Sequence, residues 1–491
     1  MLRKYLIAFF LGLLFSLGFA PNDLWFISIF SLTCLHFLIQ KVSKKELFYI
    51  GYSFGFGLWS LGISWLYVSI YFYGDIGFIY SIILTLLFIS ILSLYLGATL
   101  LLYYYFRFNS RFSVIFSLPL AWIVVEYLRS ILFTGFPWLI SGTMLADTML
   151  DGWTPIIGAQ GNTFLILLLS SLLFLIIRDL KHFPSTLLPG LFFALLVISS
   201  FSLKQIEWTS LEGSVKASIF QTNLELKKKW SSEGVIETRN MMEVAIENAE
   251  VGEIIVFPET AIIFSQDEIK DWLAYIDHKA KQKQLTLITG IIEREEDFKV
   301  RNRVLGLGTN NWHYDKVKLV PFGEFIPFEN ITGKLFDILG LRLTNTVPGK
   351  IINYKKIGNI KVSPSICYEI AFPDLIRKTA SDSNILVTIS NDTWFGRSYG
   401  PIQHLEIAQN RALEHRKAIL RSTNSGISAF ISNRGKILEK QGYFEDKMLN
   451  IEVNLYEGET FYAKYGNLPL YLTLSVIFII NLILKTKRKT D

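Results

Sequence analysis

Residues 77–105 read GFIYSIILTLLFISILSLYLGATLLLYYY, and no Asp, Glu, Lys, Arg or His interrupts them. A helix needs ~20 mostly apolar residues to cross a bilayer, and it satisfies its own backbone polar groups there. This stretch therefore reads as a membrane span. Outward from it, further apolar runs lie near 5–20, 24–40, 48–70, 112–133, 162–177, 186–203 and 467–484. The set predicts a polytopic α-helical membrane bundle of about eight transmembrane helices. The first two runs are short and joined by Ala20-Pro21-Asn22-Asp23, which reads as a helical hairpin. The first run has no convincing small-residue cleavage site and reads as retained, not as a signal peptide.

Composition agrees. The 491 residues call for two or three domains. Charged residues make up 18% of the chain, against roughly 25% in soluble domains, and mean hydropathy is +0.37. The apolar weight is concentrated in 1–205, a transmembrane bundle. Residues 206–462 read as a soluble catalytic domain, and 463–491 as a final transmembrane helix with a basic tail.

Orientation follows from the short loops. Arg3 and Lys4 precede the first run, Lys41, Lys44 and Lys45 follow the second, Arg107 and Arg111 the fourth, Arg178 and Lys181 the sixth, and Lys485, Lys487, Arg488 and Lys489 the last. The intervening connections 71–76 and 134–161, like 21–23, hold no Lys or Arg. Every basic loop thus faces the cytoplasm, both termini are inside, and 206–462 lies outside. The net charge of +6 is then topological and not a nucleic-acid footprint. The two cysteines, Cys34 and Cys367, are not expected to pair, because Cys34 lies within an apolar run.

Within 206–462, Val215–Phe220, Glu253–Phe257, Leu285–Ile292, Val304–Gly308, Ile360–Ile366, Ile385–Ser390 and Ile427–Ser432 read as strands. Val235–Glu250 and Gln403–Arg416 read as helices. The pattern predicts an α/β or α+β layered domain. Three stretches carry chemistry. Phe257-Pro258-Glu259-Thr260-Ala261 follows a strand, Tyr314–Glu324 contains Lys316, and Ser365-Ile366-Cys367-Tyr368-Glu369 ends another strand. Taken singly, Glu259 reads as a solvated loop residue, Lys316 as surface, and Cys367 as a small hydrophobe. Together they make a nucleophile with its base. Strand ends converge on one crevice, and an unpaired extracytoplasmic cysteine needs a reason to persist. Glu259 can take the thiol proton. Lys316 can lower the thiol pKa and stabilise an oxyanion, a contribution of ~3 kcal/mol.

These stretches resemble the nitrilase (carbon–nitrogen hydrolase) superfamily, a resemblance that implies an αββα sandwich with a Glu-Lys-Cys triad. The membrane half narrows it. Gly18-Phe19-Ala20-Pro21 with Trp25, Ser64-Trp65-Leu66-Tyr67-Val68 and Thr134-Gly135-Phe136-Pro137-Trp138-Leu139 are similar to the apolipoprotein N-acyltransferase family. So are Leu319–Pro327, Asn391-Asp392-Thr393-Trp394-Phe395-Gly396, and Arg411-Ala412-Leu413-Glu414 leading to Arg421-Ser422-Thr423-Asn424-Ser425-Gly426. The resemblance implies that Cys367 is the nucleophile, Glu259 the base and Lys316 the third triad member. It matches Glu324 to an additional carboxylate, which either orients Lys316 or shares proton transfer with Glu259. It matches Tyr368 and Glu369 to the residues following the nucleophile, and Trp230 to a tryptophan on a mobile loop. Trp394 is a candidate for lining the acyl path. Interfacial anchoring or core packing is the alternative for both tryptophans. Arg411, Arg421 and His404 read as structural pairs. One departure is Gly142-Thr143, where the family often has Gly-Tyr.

The implied reaction moves an acyl chain from a phosphatidylethanolamine-like donor, through a Cys thioester, to the N-terminal amine of diacylglyceryl-cysteine on an apolipoprotein. It would run at the bacterial inner (cytoplasmic) membrane with the catalytic domain on the periplasmic side. No cofactor or metal is expected, since histidines are few and no ligand spacing appears. Neither a nucleic-acid partner nor a second protomer is expected. The competing enzyme reading is a membrane-tethered nitrilase-type amidase that hydrolyses a small amide. A dead scaffold or transporter is the reading from another class, but Glu126 and Arg129 are the only charged pair in the 112–133 run.

Overall fold

A computed structural model describes residues 2–74, 76–295, 299–327, 345–350 and 354–490, except for the side chains of 488–490. Asp75 and the Arg488 and Lys489 side chains, which entered the charge reading, lie outside the described residues. The chain divides into two compact units. One holds Met1–Ile206, Arg397–Glu406 and Lys464–Asp491, and the other holds Glu207–Gly396 and Ile407–Ala463.

The first unit is helical. Among the described residues, five helices are long and apolar enough to cross a membrane: Phe78–Phe106, Arg111–Thr134, Asp151–Arg178, Phe183–Lys204 and Leu468–Lys487. A sixth crossing results if the pair Lys44–Gly62 and Trp65–Tyr73, bent by 54°, counts as one span. The 48–70 run is thus a broken helix. Its start is fixed by a capping box in which Ser43 and Glu46 satisfy each other's backbone N–H groups. The first two runs form the helices Leu2–Ser16 and Trp25–Leu38. The 162–177 run is the end of a longer element that turns at Gly158, whose φ is 63°.

Glycines set the helix crossings. A Cβ on Gly12 would lie 1.9 Å from the Phe54 carbonyl oxygen, and one on Gly57 would lie 2.0 Å from that of Phe9. Small residues let membrane helices approach where no hydrophobic force drives them together. A buried ion pair organises the 135–141 turn. Arg129 donates to the carbonyls of Phe136 at 2.5 Å and Trp138 at 2.6 Å, while Glu126 accepts from the Ser141 N–H at 3.1 Å and the Thr163 hydroxyl at 2.8 Å. The segment Arg397–Glu406 is seated in this unit. Gln403 accepts from the indoles of Trp65 at 3.2 Å and Trp138 at 2.8 Å, and donates to the Gly62 carbonyl at 3.0 Å.

The second unit is a four-layer sandwich. Its strands are β1 (Ser210–Gln221), β2 (Ile254–Val256), β3 (Thr286–Arg294), β4 (Lys299–Gly308), β5 (Trp312–Asp315), β6 (Asn345–Thr346), β7 (Lys355–Ile357), β8 (Ile360–Ile366), β9 (Ile385–Ser390), β10 (Ala418–Thr423), β11 (Ala429–Ile431), β12 (Ile437–Lys440) and β13 (Lys447–Glu457). One sheet runs β13-β1-β2-β3-β4-β5, with β6 beside β4, and the other runs β12-β11-β10-β9-β8-β7. Alternation along each strand builds the layers. Ile254, Val256, Ile288 and Val304 point to the core between the sheets, where they meet Val362, Ile366, Val387 and Leu420. Ile255, Phe257, Leu287 and Leu305 point the other way, onto Met242 and Ile246 of helix Ser232–Asn248 and Trp272 and Ile276 of helix Lys270–Gln282. Helix Pro373–Ala380 follows β8.

Candidate active site

Glu259 leaves the sheet just after β2. The backbone there is pinned to β3, with the Phe257 N–H donating to the Ile288 carbonyl at 2.8 Å and the Gly290 N–H donating to that of Pro258 at 3.2 Å. Gly290 makes the approach possible, since a Cβ would sit 2.3 Å from the Thr260 nitrogen and 2.7 Å from the Glu259 Cα. Lys316 follows β5 and is held by its N–H to the Asn302 carbonyl at 2.8 Å. Glu324 closes a turn in which its own Oε2 accepts the Val320 N–H at 2.7 Å.

These groups share one set of hydrogen bonds. Lys316 Nζ lies 3.3 Å from Glu259 Oε1 and 2.8 Å from Glu324 Oε1. Asn302 Nδ2 donates to the same two oxygens, at 2.6 Å and 3.3 Å. The second Glu259 oxygen accepts the Asn391 N–H at 2.7 Å. Burial works against the Lys316 charge, but Glu324 and Glu259 outweigh it and hold its pKa well above the ordinary lysine range. Lys316 is therefore a permanent cation. Glu324 bonds the ammonium directly.

Cys367 begins a tight turn directly after β8 with a φ of 53°, in the left-handed region. Ordinary residues rarely adopt it, and such strain collects at functional sites. Glu369 holds the turn. Its Oε2 accepts the Ile366 N–H at 2.7 Å, and its Oε1 accepts from Val317 N–H at 2.6 Å, Lys318 N–H at 3.1 Å and the Tyr314 hydroxyl at 3.0 Å. One buried carboxyl thus ties the cysteine turn of one sheet to the lysine segment of the other. Burial raises the Glu369 pKa to about 7, against the pull of its N–H donors. Tyr368 is buried and packs edge-on to Phe372 at 5.0 Å.

The thiol differs from the sequence expectation. Burial pushes its pKa up, Glu259 and Asp392 push the same way, and Lys316 with the Ser390 hydroxyl only partly offsets them. Lys316 acts in the foreseen direction but is outweighed, so Cys367 rests as a thiol. Trp230 is 52% exposed and Trp394 43% exposed, so neither packs in the core. Arg421 meets Asp392 at 2.6 Å and Arg411 meets Glu414 at 2.6 Å, all four buried, whereas His404 lies in the helical unit against Trp138.

Sequence reasoning assigned no role to three groups. Asn302 could have been found as a polar residue on the inward face of β4, in step with Val300 and Val304. Asn424 bonds Thr222 and Leu224 on one side and Thr393 on the other. Lys229 is buried, its ammonium 3.0 Å from the Glu259 carbonyl oxygen. In a run of three lysines nothing marks the inward one.

Comparison with known proteins matches residues 11–172 to the apolipoprotein N-acyltransferase N-terminal domain and residues 216–461 to the carbon-nitrogen hydrolase family. Curated apolipoprotein N-acyltransferases are similar over nearly their whole length. That of Vibrio parahaemolyticus is 33% identical, covering 97% of this chain and 96% of its own. That of Wigglesworthia glossinidia brevipalpis is 34% identical over 99% and 98%. Among solved structures, a Saccharomyces cerevisiae member of branch 10 of the nitrilase superfamily is 16% identical, with a TM-score of 0.37, covering 51% of this chain and 92% of that one.

Proposed function

The chain belongs to the apolipoprotein N-acyltransferase family, and from that premise we propose that Cys367, Glu259 and Lys316 transfer an acyl chain by a ping-pong reaction through a thioester. The observation that carries the reading is the shared hydrogen-bond set in which Lys316 Nζ meets both Glu259 and Glu324 beside the strained Cys367 turn.

The thiol gives its proton to Glu259 as its sulfur attacks the ester carbonyl of a phospholipid, since a free thiolate is disfavoured there. Lys316 meets the oxyanion of the tetrahedral intermediate. Protonated Glu259 returns the proton to the departing glycerol oxygen, and lysophospholipid leaves. The α-amine of diacylglyceryl-cysteine then attacks the thioester. Its proton passes to Glu259 and on to the departing sulfur, which restores the thiol. Glu324 keeps Lys316 aimed throughout. Trp230 and Trp394 offer exposed aromatic surface for acyl chains.

Each CH₂ withdrawn into water costs ~0.8 kcal/mol, so an enzyme using whole phospholipids works in the bilayer. The apolar helices make the protein a membrane protein. Eight crossings result if the broken pair, Leu2–Ser16 and Trp25–Leu38 each span. The boundaries 1–205, 206–462 and 463–491 and a periplasmic catalytic domain in the inner membrane follow from the hydropathy and charge patterns. The donor is read as phosphatidylethanolamine-like, the acceptor as an apolipoprotein, and the enzyme as a monomer. An amidase would leave the 11–172 match without a use.

The test is covalent capture. Protein incubated with a phospholipid labelled in its acyl chain should carry label through a denaturing gel and lose it to neutral hydroxylamine. Cys367→Ser should carry no such label, and Glu259→Gln should slow its uptake. Full transfer to a lipopeptide by Cys367→Ala would end the proposal.

A further inference from the structure

The acidic balance of the site leaves one charge unexplained. Among the described residues, Glu259 and Glu324 are ion-paired with one ammonium, that of Lys316, while Asp392 is matched by Arg421. A site with excess negative charge opposes formation of a thiolate or an oxyanion.

Lys229 supplies the missing cation. It ends the short helix Leu226–Lys229, just before Trp230. Its neighbour Lys228 turns outward to Glu237 and Glu233. Lys229 turns inward, is 3% exposed, and donates to the backbone carbonyl of Glu259 at 3.0 Å. Gly234 permits this, because a Cβ there would lie 2.1 Å from the Lys228 carbonyl oxygen and 3.1 Å from the Lys229 Cα. The preceding residues are fastened as well. The Asn223 N–H donates to the Asn424 carbonyl at 2.7 Å, and Asn424 Nδ2 donates to the Leu224 carbonyl at 2.8 Å. A buried ammonium costs several kcal/mol in desolvation, so a methionine would fill the space at lower cost. Packing alone does not account for the lysine.

We propose that Lys229 is a positioning residue for Glu259: its ammonium fixes the backbone of the general base and adds a second positive charge beside that residue. The proposal rests on Glu259 being the base. Burial lowers the Lys229 pKa to about 8, and the negative charge of Glu259 pulls the other way. The cation is therefore present at neutral pH and lost on the alkaline side.

The experiment measures acyl-enzyme formation from labelled phospholipid in detergent micelles between pH 6 and 10, for wild type, Lys229→Met, Lys229→Arg and Cys367→Ser. Lys229→Met should lower the acylation rate by on the order of tenfold or more, the scale of one pK unit of lost charge stabilisation, with little change in KM for the donor. Wild type should decline above pH ~8 as the ammonium titrates. Lys229→Arg, which keeps its charge, should restore the rate and carry the plateau further into alkali. Should Lys229→Met fail to fold, the arginine profile decides: an alkaline limb unchanged from wild type overturns the proposal. A wild-type rate and profile in Lys229→Met, with Cys367→Ser unlabelled, overturns it alone. Label surviving in Cys367→Ser overturns the triad and this proposal together.

Discussion

Glu369 is fully buried, and four donors converge on its two oxygens. All four need an acceptor. In Glu369→Gln the amide NH₂ would face donors, so a buried mismatch follows. The expected cost is about 1–3 kcal/mol, read as a lower thermal midpoint in detergent. The pH dependence has a definite sign. The folded pKa of about 7 lies above the ordinary 4.5, so between those values the native state holds more of this proton than the unfolded chain. This group's contribution to stability is fully present below pH 4.5 and is lost as pH rises through 7. Glu369→Gln should remove that slope between pH 5 and 8. An identical slope in wild type and variant would take Glu369 out of the titration. Residue types were legible at this scale: carboxylate, ammonium and thiol could be named from their motifs. Which oxygen meets which donor was not, because Asn302, Lys316 and Glu324 converge only when separate strand ends do.

At the scale of elements, crossings in the helical unit depend on absent side chains. Gly57 faces the Phe9 backbone, so a side chain there must push apart Leu2–Ser16 and Lys44–Gly62. Gly57→Leu should destabilise the bundle by about 1–3 kcal/mol, the usual range for overpacking. Thermal size-exclusion profiles in detergent should show an earlier midpoint, and an unshifted midpoint would remove the tight crossing. Strands β1 to β4, β8, β9 and β11 were legible as apolar runs, but β5, β6, β7, β10, β12 and β13 were not, although in β13 Leu449, Ile451, Val453 and Leu455 alternate with polar residues. That period-2 signal belongs to a sheet-edge strand with one wet face, and a search for continuous apolar runs passes over it. The 48–70 run showed its apolar length but not its break, because a 54° bend depends on what packs beside it.

For the whole molecule, the one-sided placement of Lys and Arg makes a prediction about topology. In a Cys34→Ser, Cys367→Ala background, Val251→Cys should react with a membrane-impermeant maleimide once the outer membrane is permeabilised. Both Val251 and Lys181 are exposed, so accessibility reports sidedness and not burial. Lys181→Cys should react only after the inner membrane is opened. The opposite labelling would invert the orientation. One feature at this scale had no hydropathy signal. Arg397–Glu406 lies in the middle of the soluble-looking half, yet it groups with the helical unit through Gln403.

The chain by itself determined that there is an apolar helical half and a layered α/β half, which side the charges favour, and where a carboxylate, an ammonium and a thiol stand at the ends of strand-like runs. Those properties are local: hydropathy, strand-length runs and residue type survive without knowledge of neighbours. Only the tertiary structure decided that the thiol rests protonated, that Glu369 buckles two sheets together at the Cys367 turn, and that Lys229 turns inward while Lys228 does not. Desolvation and hydrogen bonding depend on what lies within a few ångströms in space, and residues far apart in the chain supply it.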